Sequence, residues 1–262
     1  MLRLSVPAGR RETGYHAAVR EGDAGPPAAP AAAAAVVLAS GAGIRAGGGR
    51  NKVYLPLGGR SVVAWSLRAL ARVTGIATLV LVVRPQDGEL ARQVLATECA
   101  GLAVEVVLGG AVRQESELMA LRRLAPRITA GEIDIVLIHD AARPLVTPEL
   151  AAAVLAAARR AGGAVPGVAR DGLIMASEDG TVAEADLGTL MAMQTPQGFA
   201  AAPLLAAYER AAADGFAGTD TAACVTRYSG LRVRCIPGDD RNIKITYPHD
   251  IVVAAKLMTP DA

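Results

Sequence analysis

The fold of this chain is decided by the stretch from Val36 to Leu57, which reads VVLASGAGIRAGGGRNKVYLPL. A short apolar run from Val36 to Ala39 predicts a buried strand, and the glycine-rich segment after it predicts an anion-binding loop. Glycine backbone N–H groups can approach an anion closely, because no Cβ obstructs them. Arg45 can hold phosphate oxygens with its planar guanidinium, and Lys52 adds a compact ammonium. The stretch therefore predicts a strand that ends in a polyphosphate-binding loop.

Two familiar phosphate loops fit this stretch less well. A Walker loop ends in Gly-Lys-Ser/Thr, and no Gly-Lys pair occurs in the chain. The Rossmann fingerprint G-x-G-x-x-G opens into a helix, whereas Gly41, Gly43 and Gly47 are spaced more widely and the loop continues to Pro56. A glycine-rich turn alone is also compatible with an ordinary surface loop. The rest of the chain has to distinguish this possibility from a phosphate-binding loop.

Composition limits the class of protein. The 262 residues are 52% hydrophobic and 20% charged, which suffices for a large buried core. A net charge of +2 and 3% aromatic residues give no reason to expect nucleic acid or a membrane surface as partner. Cys99, Cys224 and Cys235 form no C-x-x-C pair, so we expect neither disulfides nor a zinc site, and a cytoplasmic location.

The domain organisation follows from a change in composition and from the alternation of elements. Residues 1–34 are rich in alanine and proline, which predicts a disordered extension. Residues 35–262 alternate predicted strands and helices, which indicates an α/β, Rossmann-like, mostly parallel sheet with helices on both faces. Asp179-Gly180 predicts a hairpin within a projecting β-arm at about 171–190. Such an arm commonly contacts a second subunit, which favours a homodimer.

Polar residues follow several predicted strands. In open α/β sheets ligands bind beyond the carboxyl ends of the strands, so the glycine loop and Asp140 are expected at one edge. Asp140 could hold Mg²⁺ against a polyphosphate, or it could cap a helix or pair with Arg143. Lys244 is expected at the end of the last strand region.

A second glycine pair follows another predicted strand. Gly109-Gly110, with Arg113 and Ser116, offers backbone, a cation and a hydroxyl for a base or ribose. The same residues are also compatible with an ordinary capped helix start.

Six segments together resemble the 2-C-methyl-D-erythritol 4-phosphate cytidylyltransferases and their close relatives, the ribitol 5-phosphate cytidylyltransferases. They are ASGAGIRAG (39–47) with Lys52, GGAVRQES (109–116), HDAARP (139–144), QTPQGF (194–199), TDTA (219–222) and NIKIT followed by YPHD (242–250). The resemblance covers residue 36 to the C-terminus in the same order. It implies a nucleotidyltransferase domain over 35–262 with the nucleotide-diphospho-sugar transferase type of fold.

The resemblance also implies an activity and a site. The activity is transfer of CMP from CTP to 2-C-methyl-D-erythritol 4-phosphate, with release of pyrophosphate, dependence on Mg²⁺ near Asp140, and a role in non-mevalonate isoprenoid synthesis. The implied catalytic residues are Arg45, Lys52 and Lys244. The residues implied around the nucleotide are Ala39, Ser40, Gly41, Ala42, Gly43, Gly109, Gly110, Arg113, Ser116 and Ala141. Those implied near the acceptor are Asp140, Arg143, Asp171 and Thr195.

Three positions depart from the family pattern and keep alternatives open. Leu187 stands where an arginine is expected, Gly172 follows Asp171 where a threonine is expected, and Thr221 replaces an acidic residue. The acceptor could therefore be ribitol 5-phosphate or another polyol phosphate, or the protein could be a nucleotide-binding paralogue without acceptor binding. A nicotinamide-dependent oxidoreductase, with a 2′-phosphate at Arg84, is the alternative from another enzyme class.

Overall fold

The computed structural model describes residues 31–41, 51–171, 175–176, 182–183, 189–218 and 220–258. Most of the predicted extension, all of it up to residue 30, lies outside the described residues. So do Ala42, Gly43 and Arg45 of the predicted site, and Gly172 and Leu187, which depart from the family pattern. No helix within the described ranges has the length and apolar character needed to cross a membrane.

The described elements alternate along the chain as the sequence predicts. The strands are β1 Ala32–Leu38, β2 Pro56–Leu57, β3 Arg60–Ser61, β4 Ile76–Val83, β5 Val104–Leu108, β6 Ile133–Asp140, β7 Gly162–Ala169, β8 Met175–Ala176, β9 Val182–Ala183, β10 Met191–Met193, β11 Gln197–Ala200 and β12 Arg232–Pro237. The helices are α1 Val62–Ala71, α2 Gly88–Glu98, α3 Arg113–Thr129, α4 Pro148–Ala161, α5 Ala201–Ala213, α6 Thr221–Tyr228 and α7 His249–Met258.

The main sheet has the order β10-β7-β11-β6-β1-β4-β5, with β12 also paired to β7. Strands β5, β4, β1 and β6 are mutually parallel, whereas β11 runs antiparallel to both β6 and β7. Successive residues of β1 belong alternately to two hydrophobic clusters, with Val37 in the cluster that includes Leu67 of α1 and Val36 in the one that includes Leu121 of α3. Helices therefore cover both faces, which confirms the predicted α/β architecture.

The parallel pairing brings four strand ends to one edge of the sheet. Leu38 at the end of β1 lies opposite Asp140 at the end of β6 and Val82 near the end of β4. Val83 in turn lies opposite Leu108, the last residue of β5. The ends of these strands therefore lie at one edge, as predicted.

The start of the first strand corrects the predicted boundary of the extension. Strand β1 begins at Ala32, whereas the composition assigned residues 32–34 to a disordered segment. Ala33 and Ala34 are fully buried. Small side chains fit a central strand that is covered by helices on both faces, but an alanine run next to proline has the composition of a disordered segment.

Two further segments differ from expectation. Gln197–Ala200 was quoted only as part of a motif, but it forms β11 between β6 and β7, with Phe199 buried. Residues 242–246 were expected to follow or end a strand, but they are irregular. In the region of the predicted arm, Met175–Ala176 pairs antiparallel with Val182–Ala183, as a hairpin requires.

Candidate active site

A cavity of about 730 Å³ opens at the edge where β1, β4, β5 and β6 end. Its lining comes from segments far apart in the chain. The described lining residues are Leu38, Ser40, Gly41, Asn51, Lys52, Val53, Arg84, Pro85, Gln86, Gly109, Gly110, Ala111, Val112, Arg113, Asp140, Ala142 and Lys244. The fold thus brings the start of the glycine loop, the second glycine pair, the aspartate and two of the three lysines of the chain to one place.

Asp140 is the centre of an ion-pair cluster in this cavity. Its carboxylate is buried, with Oδ1 in contact with Nη1 of Arg113 and Oδ2 2.7 Å from Nζ of Lys244. Nε of Arg143 lies 4.0 Å from Oδ2. Burial opposes ionisation of Asp140, but the two close cations outweigh it and hold its pKa well below the usual range. Asp140 is therefore ionised at neutral pH and gathers cations from three segments.

Lys244 owes its position to neighbours that are anchored in the interior. Asn242 is fully buried and its Nδ2 donates to the carbonyl of Thr195 at 2.9 Å. Ile245 is also fully buried, and its N–H donates to the carbonyl of Ala142 at 2.8 Å. Because the residues on either side are held in this way, Lys244 extends toward Asp140 without belonging to a strand.

The second glycine pair is required by close packing. A Cβ at Gly109 would lie 2.7 Å from Oγ of Ser116 and 2.7 Å from Cβ of Ser40. Oγ of Ser116 accepts from Ser40 Oγ at 2.8 Å and from the Gly110 N–H at 3.2 Å, and it donates to the Val112 carbonyl at 3.1 Å. This bridge joins the loop after β1 to the loop after β5 along the cavity wall.

Lys52 follows a residue that is fixed by a buried polar network. Nδ2 of Asn51 donates to the Ala39 carbonyl and to Oδ2 of Asp87, both at 2.9 Å. Arg84 donates to the same carboxylate through Nε at 2.7 Å and Nη2 at 2.9 Å. Burial opposes ionisation of Asp87, and the hydrogen bonds from Arg84 and Asn51 outweigh it, so its pKa lies below the usual value. The network ties the loop after β1 to the loop after β4.

Several predicted residues support the cavity from behind and do not line it. Ala39 and Ala141 are buried, and Ala141 donates its N–H to the Leu38 carbonyl. Oγ1 of Thr195 accepts from the Asp140 N–H at 3.0 Å and contacts Nδ1 of His139 at 3.1 Å. Burial lowers the pKa of His139 to about 4, so this ring is neutral near pH 7.

Two residues that the resemblance implies near the acceptor, Arg143 and Asp171, do not line the described cavity. Arg143 donates from Nη1 to the Asn242 carbonyl at 2.7 Å and from Nη2 to the Met193 carbonyl at 3.3 Å. It therefore links the segments around the site and is not among the residues lining the described cavity. Asp171 is exposed, two residues after the end of β7.

The comparison with known proteins bears directly on this site. The family model for 2-C-methyl-D-erythritol 4-phosphate cytidylyltransferases matches residues 33–260. The chain belongs to this family. A cytidylyltransferase of that name from Cereibacter sphaeroides is 41% identical over 226 residues, which cover 86% of this chain and 96% of the relative. The chain is thus a nucleotidyltransferase of the cytidylyltransferase kind.

Two other relatives extend this comparison. The bifunctional enzyme IspD/IspF of Dinoroseobacter shibae is 40% identical over 225 residues, or 86% of this chain, but the match spans only 53% of that longer protein. The crystal structure of 4-diphosphocytidyl-2C-methyl-D-erythritol synthase from Anaerococcus prevotii is 27% identical, with a TM-score of 0.74 over 86% of this chain and 95% of its own. The predicted nucleotide-diphospho-sugar transferase type of fold is confirmed.

Sequence reasoning overlooked three charged or polar residues of this cytidylyltransferase site. The sequence patterns did not single out Asn51, Asp87 or Glu117. Glu117 lies four residues after Arg113, the spacing at which side chains on a helix meet. The contact between these two residues could therefore have been predicted from sequence. The partnership of Asn51 with Asp87 joins residues 36 positions apart, and only the fold reveals it.

We expect Asp87→Asn to destabilise the cytidylyltransferase by about 3 kcal/mol at pH 7, because Arg84 would lose a buried ionised partner. The matched control is Glu89→Gln, which removes an exposed acid on the adjacent helix and should cost less than about 0.5 kcal/mol. Chemical denaturation followed by circular dichroism measures both values.

The stability difference between the unaltered protein and Asp87→Asn should also depend on pH in a defined direction. The folded pKa of Asp87 lies below its unfolded value, so its stabilisation is complete above about pH 4 and is lost as the pH falls through the folded pKa. The stability gap between the unaltered protein and Asp87→Asn should therefore narrow below pH 4. A gap that is absent at pH 7, or that widens in acid, would contradict this role.

Proposed function

We propose that this protein transfers the cytidylyl group of CTP to 2-C-methyl-D-erythritol 4-phosphate and releases pyrophosphate, a step of isoprenoid precursor synthesis. The observation that carries the proposal is the convergence of Lys52, Arg113 and Lys244 on one cavity whose wall includes the backbone of Gly109 and Gly110. Membership of the family supports the same reaction. A cluster of cations beside glycine backbone suits a triphosphate and a second phosphate in close contact.

The reaction requires positioning more than acid–base chemistry. A phosphate oxygen of the acceptor attacks the α-phosphorus of CTP, and the bond from that phosphorus to the bridging oxygen of the β-phosphate breaks. Pyrophosphate leaves with the electron pair, so no proton has to be moved by the protein. Catalysis of this kind depends on holding the two phosphates in line and on stabilising the negative charge that crowds together between them.

We assign the binding and charge-stabilising roles to different residues of the cavity. The bridge between Ser40 and Ser116 and the glycine backbone beside it form the wall proposed for the nucleoside. Lys52 stabilises charge on the α-phosphate, and Lys244 orients the acceptor phosphate. Asp140 holds Lys244 in place before the substrates bind, so little reorganisation is needed during the reaction. Arg45 is proposed to act with Lys52 and lies outside the described residues.

Magnesium is proposed as the metal of this reaction, with Asp140 as its protein ligand. Within the described part of the chain no three acidic, histidine or cysteine residues are grouped to hold a metal, and Asp140 is the one carboxylate of the described cavity lining. A single carboxylate fits Mg²⁺, which takes most of its ligands from phosphates and water. Each carboxylate oxygen can accept more than one contact, so Asp140 could hold the ion beside its contacts with Arg113 and Lys244. When bound, Mg²⁺ would neutralise charge on the triphosphate.

The nicotinamide-dependent alternative is disfavoured by the surroundings of Arg84. Its guanidinium makes two hydrogen bonds to the buried carboxylate of Asp87. A 2′-phosphate would have to compete with that pair. The choice among acceptor phosphates stays open at the sequence level, because Leu187 and Gly172 depart from the family pattern and both lie outside the described residues.

A homodimer in the cytoplasm is proposed as the working form of the enzyme. Leu190, Met191 and Met193 are 36%, 37% and 44% exposed, and the last two lie on β10, which pairs with β7. Such an apolar group next to the arm suits contact with a second copy. Cys99, Cys224 and Cys235 are all free thiols, which suits a reducing compartment.

The homodimer is tested by sedimentation equilibrium. The unaltered protein should have twice the chain mass at micromolar concentration, and the double substitution Met191→Asp with Met193→Asp should shift it toward the monomer by burying unpaired charge in the contact. Val252→Asp, at an exposed apolar position of α7, is the matched control and should leave the mass unchanged. A monomeric unaltered protein contradicts the proposal.

The acceptor is tested by pyrophosphate release from CTP and Mg²⁺ with a panel of alcohol phosphates. We expect kcat/KM to be at least about tenfold higher with 2-C-methyl-D-erythritol 4-phosphate than with ribitol 5-phosphate or glycerol 3-phosphate, the scale of one good polar contact. A chelator should abolish turnover and added Mg²⁺ should restore it. Faster turnover with ribitol 5-phosphate, or CTP binding without turnover on any acceptor, would favour the corresponding alternative.

Replacement of each lysine tests the assignment of the cations. Lys52→Ala and Lys244→Ala should each lower kcat by about 100- to 1000-fold, the range found when one preorganised transition-state donor is removed. Lys256→Ala removes the third lysine of the chain, which is exposed on α7, and should leave kcat unchanged. Near-normal turnover in either of the first two variants would refute its assigned role.

A further inference from the structure

Arg113 contacts a second buried carboxylate besides Asp140. It is the first residue of α3 and lines the cavity, with its guanidinium between the two acids. Nη1 contacts Oδ1 of Asp140, and Nε lies 2.9 Å from Oε1 of Glu117. The Nε–H is not aligned for a hydrogen bond to that oxygen, so the contact with Glu117 is an ion pair without hydrogen-bond geometry.

Glu117 is held from behind by two hydroxyl groups. Thr221 on α6 donates from Oγ1 to Oε1 at 2.8 Å, and Tyr208 on α5 donates from Oη to Oε2. Glu117 is 1% exposed, and both hydroxyl residues are fully buried. Each oxygen of this carboxylate therefore has a defined partner inside the core formed by three helices.

A carboxylate in this place is costly for the fold. Leu121 and Leu124 of the same helix, together with Leu204 of α5, belong to the hydrophobic cluster on this face of the sheet. Burial raises the pKa of Glu117 above its usual value, although the nearby Arg113 opposes the shift. An apolar residue of similar size would pack here without that penalty. The cost is explained if the carboxylate acts on Arg113.

We propose that Glu117, held by Tyr208 and Thr221, is a positioning residue that fixes the guanidinium of Arg113 for binding the triphosphate of CTP. The inference rests on the proposed function, since it concerns the nucleotide of that reaction. Glu117 attracts the Nε side of Arg113 into the protein, and Asp140 holds one Nη nitrogen. An arginine held at two points loses less conformational freedom when an anion binds, so affinity increases.

The main test compares CTP binding by calorimetry, without acceptor, in the unaltered protein and in Glu117→Gln. The amide keeps the size and can still accept from Thr221 or Tyr208, but it carries no charge for Arg113. We expect Kd for CTP to rise about tenfold, corresponding to one weakened charged contact, and KM for CTP to rise with it while kcat changes less than threefold. Glu209→Gln, an exposed acid on α5, is the control and should leave Kd unchanged.

A second variant separates positioning from packing. Thr221 Oγ1 lies next to the Glu117 carboxylate, so Thr221→Asp in the Glu117→Gln background returns a carboxylate to the same place from another helix. We expect this double variant to recover CTP affinity to within about threefold of the unaltered protein. If Glu117→Gln alone does not fold, the double variant still tests the positioning role. A folded double variant that binds CTP about tenfold more weakly than the unaltered protein would overturn the proposal.

The outcomes distinguish the inference from the proposed function. Equal CTP affinity in the unaltered protein and folded Glu117→Gln, with only a lower melting temperature, would overturn the positioning role and leave the function standing. If the Kd values for CTP of the variants differ from that of the unaltered protein as expected, but no acceptor receives the cytidylyl group, only the proposed transfer would be overturned. No CTP binding by the unaltered protein would overturn both.

Discussion

The buried carboxylate of Asp140 is the constraint on which the rest of the site depends. It lies at the end of a central strand and contacts Arg113 and Lys244, with Arg143 4.0 Å away, so cations from three segments gather around one anion. Without that anion, the same cations would repel one another at a partly buried edge of the sheet. Asp140 therefore allows a positively charged cavity to exist in the folded protein before any phosphate binds.

The sheet makes this arrangement possible. Because β1, β4, β5 and β6 are parallel, their ends carry Ser40 and Gly41, the second glycine pair, Arg84 and Asp140 to one edge. Polar bridges then tie the loops together, one between Ser40 and Ser116 and another from Asn51 to Asp87. A cytidylyltransferase that must hold two phosphates in line benefits from such a rigid frame, since the chemistry itself asks little of the protein.

Much of this architecture could be predicted from sequence, because hydrophobic runs and glycine positions reflect local physics. The alternation of elements predicted the α/β fold, and the rule for strand ends predicted that Asp140 would meet the glycine loop. Strand β11 was missed because its four residues, Gln197–Ala200, carry little periodicity of their own. The buried alanines at the start of β1 were missed because composition cannot distinguish small core residues from a disordered tract.

The supporting contacts were harder to predict, because they depend on side chains that meet only in the folded chain. Arg143 matches a motif, yet it donates to the carbonyls of Met193 and Asn242 and does not line the described cavity. Thr221 was noted as a missing acid, but its hydroxyl donates to the carboxylate of Glu117, which lies 104 positions away. A motif identifies which residues matter more readily than it assigns what each one contacts.

The most direct measurement is a crystal structure of the protein with Mg²⁺ and a CTP analogue that cannot be cleaved between the α- and β-phosphates. We expect the triphosphate in the cavity at the ends of β1, β4, β5 and β6, with the ammonium group of Lys52 and the guanidinium of Arg113 within hydrogen-bond distance of its oxygens. A triphosphate bound elsewhere, with Lys52 and Arg113 directed away from it, would contradict the central claim that these cations form one nucleotide site.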